Sequence, residues 1–354
     1  MLKGRLAALA LGSLLASAAL AGCGGGTSNS ASGSGKDLVY FIFTGYSSPY
    51  FAPMATAVKQ AAQYYPNLNL KIVNANGSPS QEVTDINEAV ANNAKGIILN
   101  PVNGAVTSAA MHAMKQGVPV ITIDRDVNNP KGRKLFIGDN DHQLGVEQTK
   151  YAIKYLIANK VPKPWNVVVL TGTPGSSTAI DRAAGAMSVL NPYVSNGSAK
   201  IVLNQTGQFA TNTAQTVMSE FLAKNSHVQL VVAGNDAMAL GAITALQNAG
   251  LKPGKSVFVV GADAQPQSLT DIQKGTQLDT VTHAPFVEAY WAVEAMDNIL
   301  QYHVNPPAKY AAKGLIIPMT LVTKSNVSQI SGWGTPKTVP ALPYGHASSH
   351  KVSQ

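Results

Sequence analysis

Val118-Pro-Val-Ile-Thr-Ile-Asp124-Arg125-Asp126 is a β-branched run that stops abruptly in charge. Gly117 precedes it, and residues 118–123 have the length and composition of a buried strand. In an open α/β sheet, ligands bind in the crevice beyond the carboxyl ends of the strands. A carboxylate beside a guanidinium at that place sets acceptors next to a rigid fork of donors, which suits a polyhydroxylated ligand. The same residues would also serve as an ordinary solvated turn, so the rest of the chain has to decide.

Working outward, residues 38–43 (Leu-Val-Tyr-Phe-Ile-Phe) form another continuous apolar run. A helix follows, with Phe51, Met54, Ala55, Val58 and Ala62 on one face, and Pro66-Asn67 ends it. A strand is expected at 70–73. Ser78-Pro79-Ser80-Gln81 predicts a helix start with Ser78 as N-cap and Gln81 closing a capping box, and Val83, Ile86 and Val90 as the buried stripe. Strands at 96–99 and 135–137 flank the opening stretch, with a helix through Met111 and Met114 before it. The block then begins again. Strands are expected at 167–170, 201–203, 228–232, 257–260 and 278–282, and helices at 143–158, 179–190, 213–223 and 287–300. Another helix, through Ala239 and Leu246, is capped by Gly250, and a last strand covers 315–322. Strands alternating with helices, twice over, predict an α/β protein of two similar doubly wound parallel-sheet lobes. Polar residues gather at the strand ends: Asp124, Arg125, Asn235, Asp263 and His283.

The first 22 residues read as a targeting segment: Lys3 and Arg5, then an apolar stretch at 6–20 too short for a membrane span. Leu20-Ala21-Gly22-Cys23 resembles the lipobox of bacterial lipoproteins. That resemblance implies cleavage before Cys23 and lipidation of its sulfur. As the sole cysteine, Cys23 excludes an internal disulfide framework. Residues 24–35, rich in Gly and Ser, read as a flexible tether. The remainder is 45% hydrophobic and 12% charged over the whole chain, the composition of a globular protein. The formal charge of +8 is spread over scattered lysines, with no basic run interleaved with aromatics, so nucleic acid is not an expected partner.

From residue 37 to 324 the chain resembles the periplasmic sugar-binding proteins of ribose-binding type, the type I solute receptors of ABC importers. The markers are Ser48-Pro49-Tyr50-Phe51, the stretch 118–125, Asp181-Arg182-Ala-Ala-Gly185, Gly234-Asn-Asp-Ala-Met-Ala-Leu-Gly241 and Val259-Val-Gly-Ala-Asp263, in that order. The resemblance implies a clamshell whose lobes are joined by three crossovers, near 138–140, 283–285 and 313–315. It divides the chain into a lipoprotein signal peptide (1–22), a tether (23–36), an N-terminal lobe (37–139 plus 284–313), a C-terminal lobe (140–283 plus 314–334) and a tail (335–354). The tail, with His346 and His350, is expected to be mobile. The family's hydroxyl-binding positions fall on Ser48, Asp124, Arg125, Arg182, Asn235, Asp263 and His283, and its aromatic walls on Tyr50, Phe51 and Phe209, with Thr44 a weaker candidate.

Sugar C–H faces lie well on Tyr and Phe rings, while Asp, Arg and Asn divide the work of accepting from and donating to hydroxyls. Asp124 and Asp263 roughly offset Arg125 and Arg182, which implies a neutral ligand, a monosaccharide or sugar alcohol. Ser48, Tyr50, Ala262 and His283 depart from the ribose pattern. Ala262 is expected to leave space where that pattern has an aromatic wall, so ribose itself is in doubt. Asp236 is expected as an N-cap, Asp139 and Asn140 as hinge groups, and Trp165, Trp291 and Trp333 as packing. No phosphate-binding loop, nucleophile elbow or metal-ligand cluster occurs, so no enzyme activity, cofactor or metal is expected. Three rivals stand against the importer reading: a glycoside-active enzyme using Asp124 and Asp263, a lac-type repressor, which would carry a helix-turn-helix where this chain has the signal and Cys23, and a signalling receptor with the same clamshell. The expected partners are the ligand, a membrane permease and the lipid anchor, with the protein a monomer.

Overall fold

A computed structural model describes residues 35–352 apart from Ser47 and Ser226. The expected signal peptide, Cys23 and nearly all of the tether lie outside the described residues. The first lobe begins with β1 (Asp37–Phe43), α1 (Phe51–Ala61), β2 (Leu68–Asn74), α2 (Pro79–Ala91) and β3 (Gly96–Asn100). It continues through α3 (Thr107–Lys115), β4 (Val120–Ile123) and β5 (Leu135–Gly138). The second lobe runs through α4 (Asp141–Ala158), β6 (Trp165–Thr171), α5 (Ser177–Ser195), β7 (Ala199–Thr206), α6 (Thr211–Leu222) and β8 (Leu230–Ala233). Next come α7 (Asp236–Asn248), β9 (Phe258–Val260), α8 (Pro266–Lys274) and β10 (Asp279–Val281). The chain then passes through α9 (Pro285–Gln301), α10 (Ala308–Lys313), β11 (Leu315–Ile316), β12 (Leu321–Thr323), β13 (Thr338–Val339) and β14 (His350–Lys351).

The first sheet has the order β2-β1-β3-β4-β5-β11 and the second β7-β6-β8-β9-β10-β12. All pairs are parallel except β10 with β12. Both sheets therefore have the doubly wound order in which the strand sequence reverses beside the first strand, and a crevice opens there. Register keeps the carboxyl ends level: Phe43 lies opposite Asn100, Leu99 opposite Thr122, and Ile123 opposite Ile137. Each sheet is covered on both faces, which is why its strands are continuous apolar runs. Phe41 and Phe43 face α1 and α9, while Tyr40 and Ile42 face α2 and α3. In the second lobe Val168 and Leu170 face α6 and α7, while Val167 and Val169 face α4 and α5.

The chain passes between lobes at 139–140 and again at 282–284, because α9 returns to pack on α1 and the first sheet. The third passage lies at 317–320, later than expected. The single strand expected at 315–322 is two short strands in different sheets: β11 joins β5 and β12 joins β10. Pro318, which has no N–H to give a ladder, sits between them. Sequence reading also missed α8 and α10, which are short, with few buried apolar residues.

The tail is not free. After β12 it crosses back to the first lobe, where Val339 and Leu342 join the core beside α1 and α9. Trp291 Nε1 donates to the Pro340 carbonyl at 2.7 Å, and Glu294 accepts from the amides of Leu342 and Ser348. His350 stacks on Tyr64 with centroids 3.9 Å apart, and β13 pairs antiparallel with β14. Leu342→Ala should therefore cost what a core leucine costs, about 2–5 kcal/mol, measured by denaturant unfolding. A loss near zero would restore the mobile tail.

Helix α2 departs from a simple apolar stripe. Ser78 caps it by accepting the Gln81 amide, but the Gln81 side chain donates forward to Asp85 and not back to the cap, so the capping box is half closed. Ile86 is buried while Val83 and Val90 are partly so, and Glu82 is buried too, accepting the Val102 amide at 2.7 Å. Burial pushes the Glu82 carboxyl up to about 8, with Arg125 opposing. Because its folded value is raised above its unfolded value, the native state holds the extra proton. Stability should thus fall as pH rises through the interval from the ordinary carboxylate range to about 8. Glu82→Gln should melt higher than the wild type above that interval and lose its advantage below it. Parallel melting curves across pH would contradict this.

Candidate functional site

Strand ends from both lobes meet around one narrow space of about 20 Å3. It is lined by Ser48, Tyr50, Phe51, Asp124, Arg125, Thr178, Arg182, Phe209, Asn235, Asp263 and His283. All ten expected residues are thus brought together, and Thr178 is added. That is room for about one water, far below the roughly 300–1,000 Å3 of ligand pockets, so a sugar ring enters only as the lobes part.

The fourth strand of each lobe ends in an aspartate at positive φ: Asp124 at 59° after β4 and Asp263 at 100° after β9. Left-handed backbone is tolerated by Asp better than by most residues, and here it swings the carboxylate across the sheet edge. Asp124 is held by Asn100, whose Nδ2 donates to Oδ2 at 2.8 Å. Arg125 NH1 donates to the Val102 carbonyl at 2.9 Å, and its guanidinium lies 5.5 Å from the ring centroids of both Phe51 and Phe209. Thr44 supports this layer from behind, accepting from Arg125 and donating to the Asn100 carbonyl, and does not line the space.

In the second lobe Arg182 is the centre. Helices α4 and α5 approach closely enough that a Cβ at Gly145 or Gly185 would strike the other helix's backbone. That approach sets the first residue of α4, Asp141, against Arg182 Nε at 2.7 Å. NH1 donates to Asp263 Oδ1 at 2.8 Å and to the Gly234 carbonyl at 2.9 Å, and NH2 to His283 Nδ1 at 2.6 Å. Burial pulls the Arg182 guanidinium down, but Asp263 and Asp141 more than compensate and keep it charged. Burial likewise pushes Asp263 up, and Arg182 outweighs it, leaving the carboxylate below its ordinary value. Asn235, not Asp236, caps α7, its Oδ1 accepting the Met238 amide, so its NH2 is what it can offer the space. Asp236 is fully buried under it, accepting from Gln265, Gln277 and Thr280.

His283 joins the lobes. Arginine only donates, so Arg182 on Nδ1 places the ring's proton on Nε2. Nε2 lies 2.9 Å from Glu288 Oε1, 3.4 Å from Asp139 and 3.7 Å from Asp124. Burial lowers the imidazole's proton affinity while Asp139 and Glu288 raise it well above the ordinary value. Nδ1, besides meeting Arg182, lies 3.4 Å from Asp263 Oδ1. Burial pushes Asp139 well up and Glu288 to about 7, His283 opposing in both. The Tyr50 hydroxyl donates to Glu288 Oε2 at 3.2 Å, and its ring lies 4.8 Å from His283. Asp124, His283 and Glu288 each place one ligand atom within 4.8 Å of the others, the spacing of a cation site, but an Nε2 that carries the proton has no lone pair for a metal.

Two expectations change. The balance of two carboxylates against two guanidiniums omitted Asp139, Asp141 and Glu288, which lie behind the lining residues, Asp141 paired with Arg182 and the other two pushed up by burial. Ala262 packs on Leu144 and Val281 and does not open space in the cavity. Trp333 is packing, as expected, its ring meeting the edge of Tyr50 at 5.8 Å. Glu288 was missed because it sits in the first turn of a helix read only for its apolar face. A buried acid two residues from Phe286 and Tyr290 was the available signal.

Residues 39–303 match the family model described as periplasmic binding protein domain. The ribose import binding protein RbsB of Bacillus subtilis (strain 168) is 28% identical over 278 residues, covering 78% of this chain and 84% of that protein. Among solved structures, a Caulobacter myo-inositol binding protein superposes with a TM-score of 0.74 at 27% identity, covering 84% of this chain and 96% of the other. A galactofuranose binding protein gives 0.74 at 25% identity, covering 83% and 96%. No helix among the described residues is long and apolar enough to cross a membrane. The family match spans most of the chain and agrees with the paired doubly wound sheets, so the chain belongs to the periplasmic binding protein domain family.

Proposed function

We propose that this protein is the substrate-binding receptor of an ABC importer, taking a neutral monosaccharide or sugar alcohol between its lobes and presenting it to a membrane permease. The observation that carries the reading is the convergence of polar and aromatic side chains at the facing strand ends of the two lobes. Asp124 and Arg125 from one lobe face Arg182, Asn235 and Asp263 from the other, with Phe51 and Phe209 as apolar walls. A ring with hydroxyls at its rim satisfies such a set, and no bond of the ligand needs to change. The relatives named for ribose, galactofuranose and myo-inositol support the ligand class.

The lobes also touch directly at the rim. Gly104 N–H donates to the Gly175 carbonyl at 3.1 Å, Asp126 N–H to Ser177 Oγ at 2.9 Å, and Thr178 Oγ1 to the Asp124 carbonyl at 3.2 Å. This is a closed arrangement, which a ligand bridging both lobes stabilises by contacts the open form lacks. The permease reads the closed form, and the receptor acts as a monomer. Export to the outer face of the cytoplasmic membrane and anchoring through a lipid on Cys23 belong to the same proposal. Intact mass of the membrane-extracted protein should match cleavage before Cys23 plus acyl chains. An unmodified Cys23 would remove the anchor from the proposal.

A melting-temperature screen of the purified protein against neutral pentoses, hexoses, polyols and phosphorylated or acidic sugars tests the ligand class. At a hundredfold excess over Kd, a ligand adds about 2.7 kcal/mol to stability, a shift of several degrees. Asp124→Ala should weaken binding of that sugar by roughly 10–100-fold, the cost of a lost hydrogen bond to a charged acceptor. Arg182→Ala is the poorer probe, since it strands Asp141 and Asp263 and should cost about 3–5 kcal/mol of stability. Shifts only with charged sugars, or wild-type affinity in Asp124→Ala, would overturn the reading.

A further inference from the structure

The geometry points to Glu288 as a positioning residue for ligand recognition: it holds His283 with the ring proton on Nε2, which frees Nδ1 to receive Arg182 and so aims that guanidinium at the cavity. The inference rests on the cleft being the ligand site. Glu288 is fully buried and is not among the residues lining the space. Its Oε2 accepts from the Tyr50 hydroxyl at 3.2 Å, and its Oε1 lies 2.9 Å from His283 Nε2 at an angle short of a full hydrogen bond. These two partners are among the positions at which the chain departs from the ribose pattern. One carboxylate thus accounts for both: it draws the polar tips of Tyr50 and His283 away from the cavity and leaves their ring faces beside it.

The chain of contacts has a direction. The first turn of α9 is set by Pro285 at its start, which fixes where the Glu288 backbone lies. An acceptor at Nε2 selects one imidazole tautomer. That tautomer offers Nδ1 to NH2 of Arg182, completing a fork whose other arm holds Asp263. Without Glu288, Nε2–H would face Asp139 and Asp124 at 3.4 and 3.7 Å, distances too long to hold the ring. Glu288 belongs to the first lobe and Arg182 to the second, so this positioning spans the passage between them.

The test is a long-range proton–nitrogen correlation on protein labelled with 15N-histidine, the His283 signal assigned by its loss in His283→Gln, together with the dissociation constant for the sugar found by melting. Wild type and Glu288→Gln, which keeps an acceptor oxygen, should both show the neutral Nε2–H tautomer and bind within a few-fold of one another. Glu288→Ala should lose the single tautomer and bind about tenfold or more weakly. A wild-type ring that is doubly protonated or protonated at Nδ1 overturns the inference without any variant, including the case in which Glu288→Ala does not fold. So does Glu288→Ala with wild-type tautomer and affinity. If no sugar binds the wild type, the function reading fails, and the tautomer comparison still decides whether Glu288 holds His283.

Discussion

A guanidinium removed from solvent has to find its partners inside the protein, and Arg182 finds four. Asp141 opens α4, the Gly234 carbonyl follows β8, Asp263 follows β9 and His283 follows β10. A buried charge is tolerated only when paired and hydrogen-bonded on all sides. Satisfying this one therefore fixes where four separate segments of the second lobe end. The close crossing of α4 and α5 at Gly145 and Gly185 belongs to the same requirement, since a wider crossing would part Asp141 from Arg182. The second lobe's share of the cavity is, in this sense, the solvation shell of one side chain.

The first lobe solves a similar problem with weaker means. Arg125 takes backbone carbonyls of the turn after β3 and lies between two aromatic faces, one from each lobe. Phe209 faces both guanidiniums, 5.5 Å from Arg125 and 5.8 Å from Arg182. A flat ring beside two cations attracts both through its quadrupole and keeps them from approaching each other. The polar groups are then distributed around the edge of the space while its walls stay apolar.

Much of this was legible in the chain. Asp124, Asn235 and Asp263 could be found because a buried strand is a short apolar run and its end is marked by charge; position in the sheet then follows from topology. The aromatic walls and Arg182 came from a resemblance carried by five short motifs. What escaped reading had weaker local marks. Thr178 is one hydroxyl in the first turn of a long helix. Glu288 is a single acid in an otherwise apolar helix whose partners lie far away in sequence, at Tyr50 and His283. Residues 315–322 read as one strand because hydrophobicity does not say which of two sheets a strand joins. Residues 335–352 have no apolar period at all. They pack through a few apolar residues, among them Val339 and Leu342, and through backbone groups that only the folded α9 can receive.

That returning tail bears on how the lobes can move relative to each other. The passages at 139–140 and 282–284 carry Asp139 and His283, so the hinge and the buried charge cluster are made of the same residues. The tail adds a fourth passage: Trp333 N–H donates to the Ala264 carbonyl of the second lobe at 2.7 Å, and the segment beyond it is tied to α9 of the first. A rotation that opens the rim at Gly104 and Gly175 must keep all four passages nearly in place or break buried hydrogen bonds. The axis of opening is therefore confined to the side of the molecule where these passages gather. The groups that separate most are those farthest from that side, at the rim. Glu288 and His283, lying at the passages, separate least, which lets the charge cluster persist as a fixed floor over which the walls close.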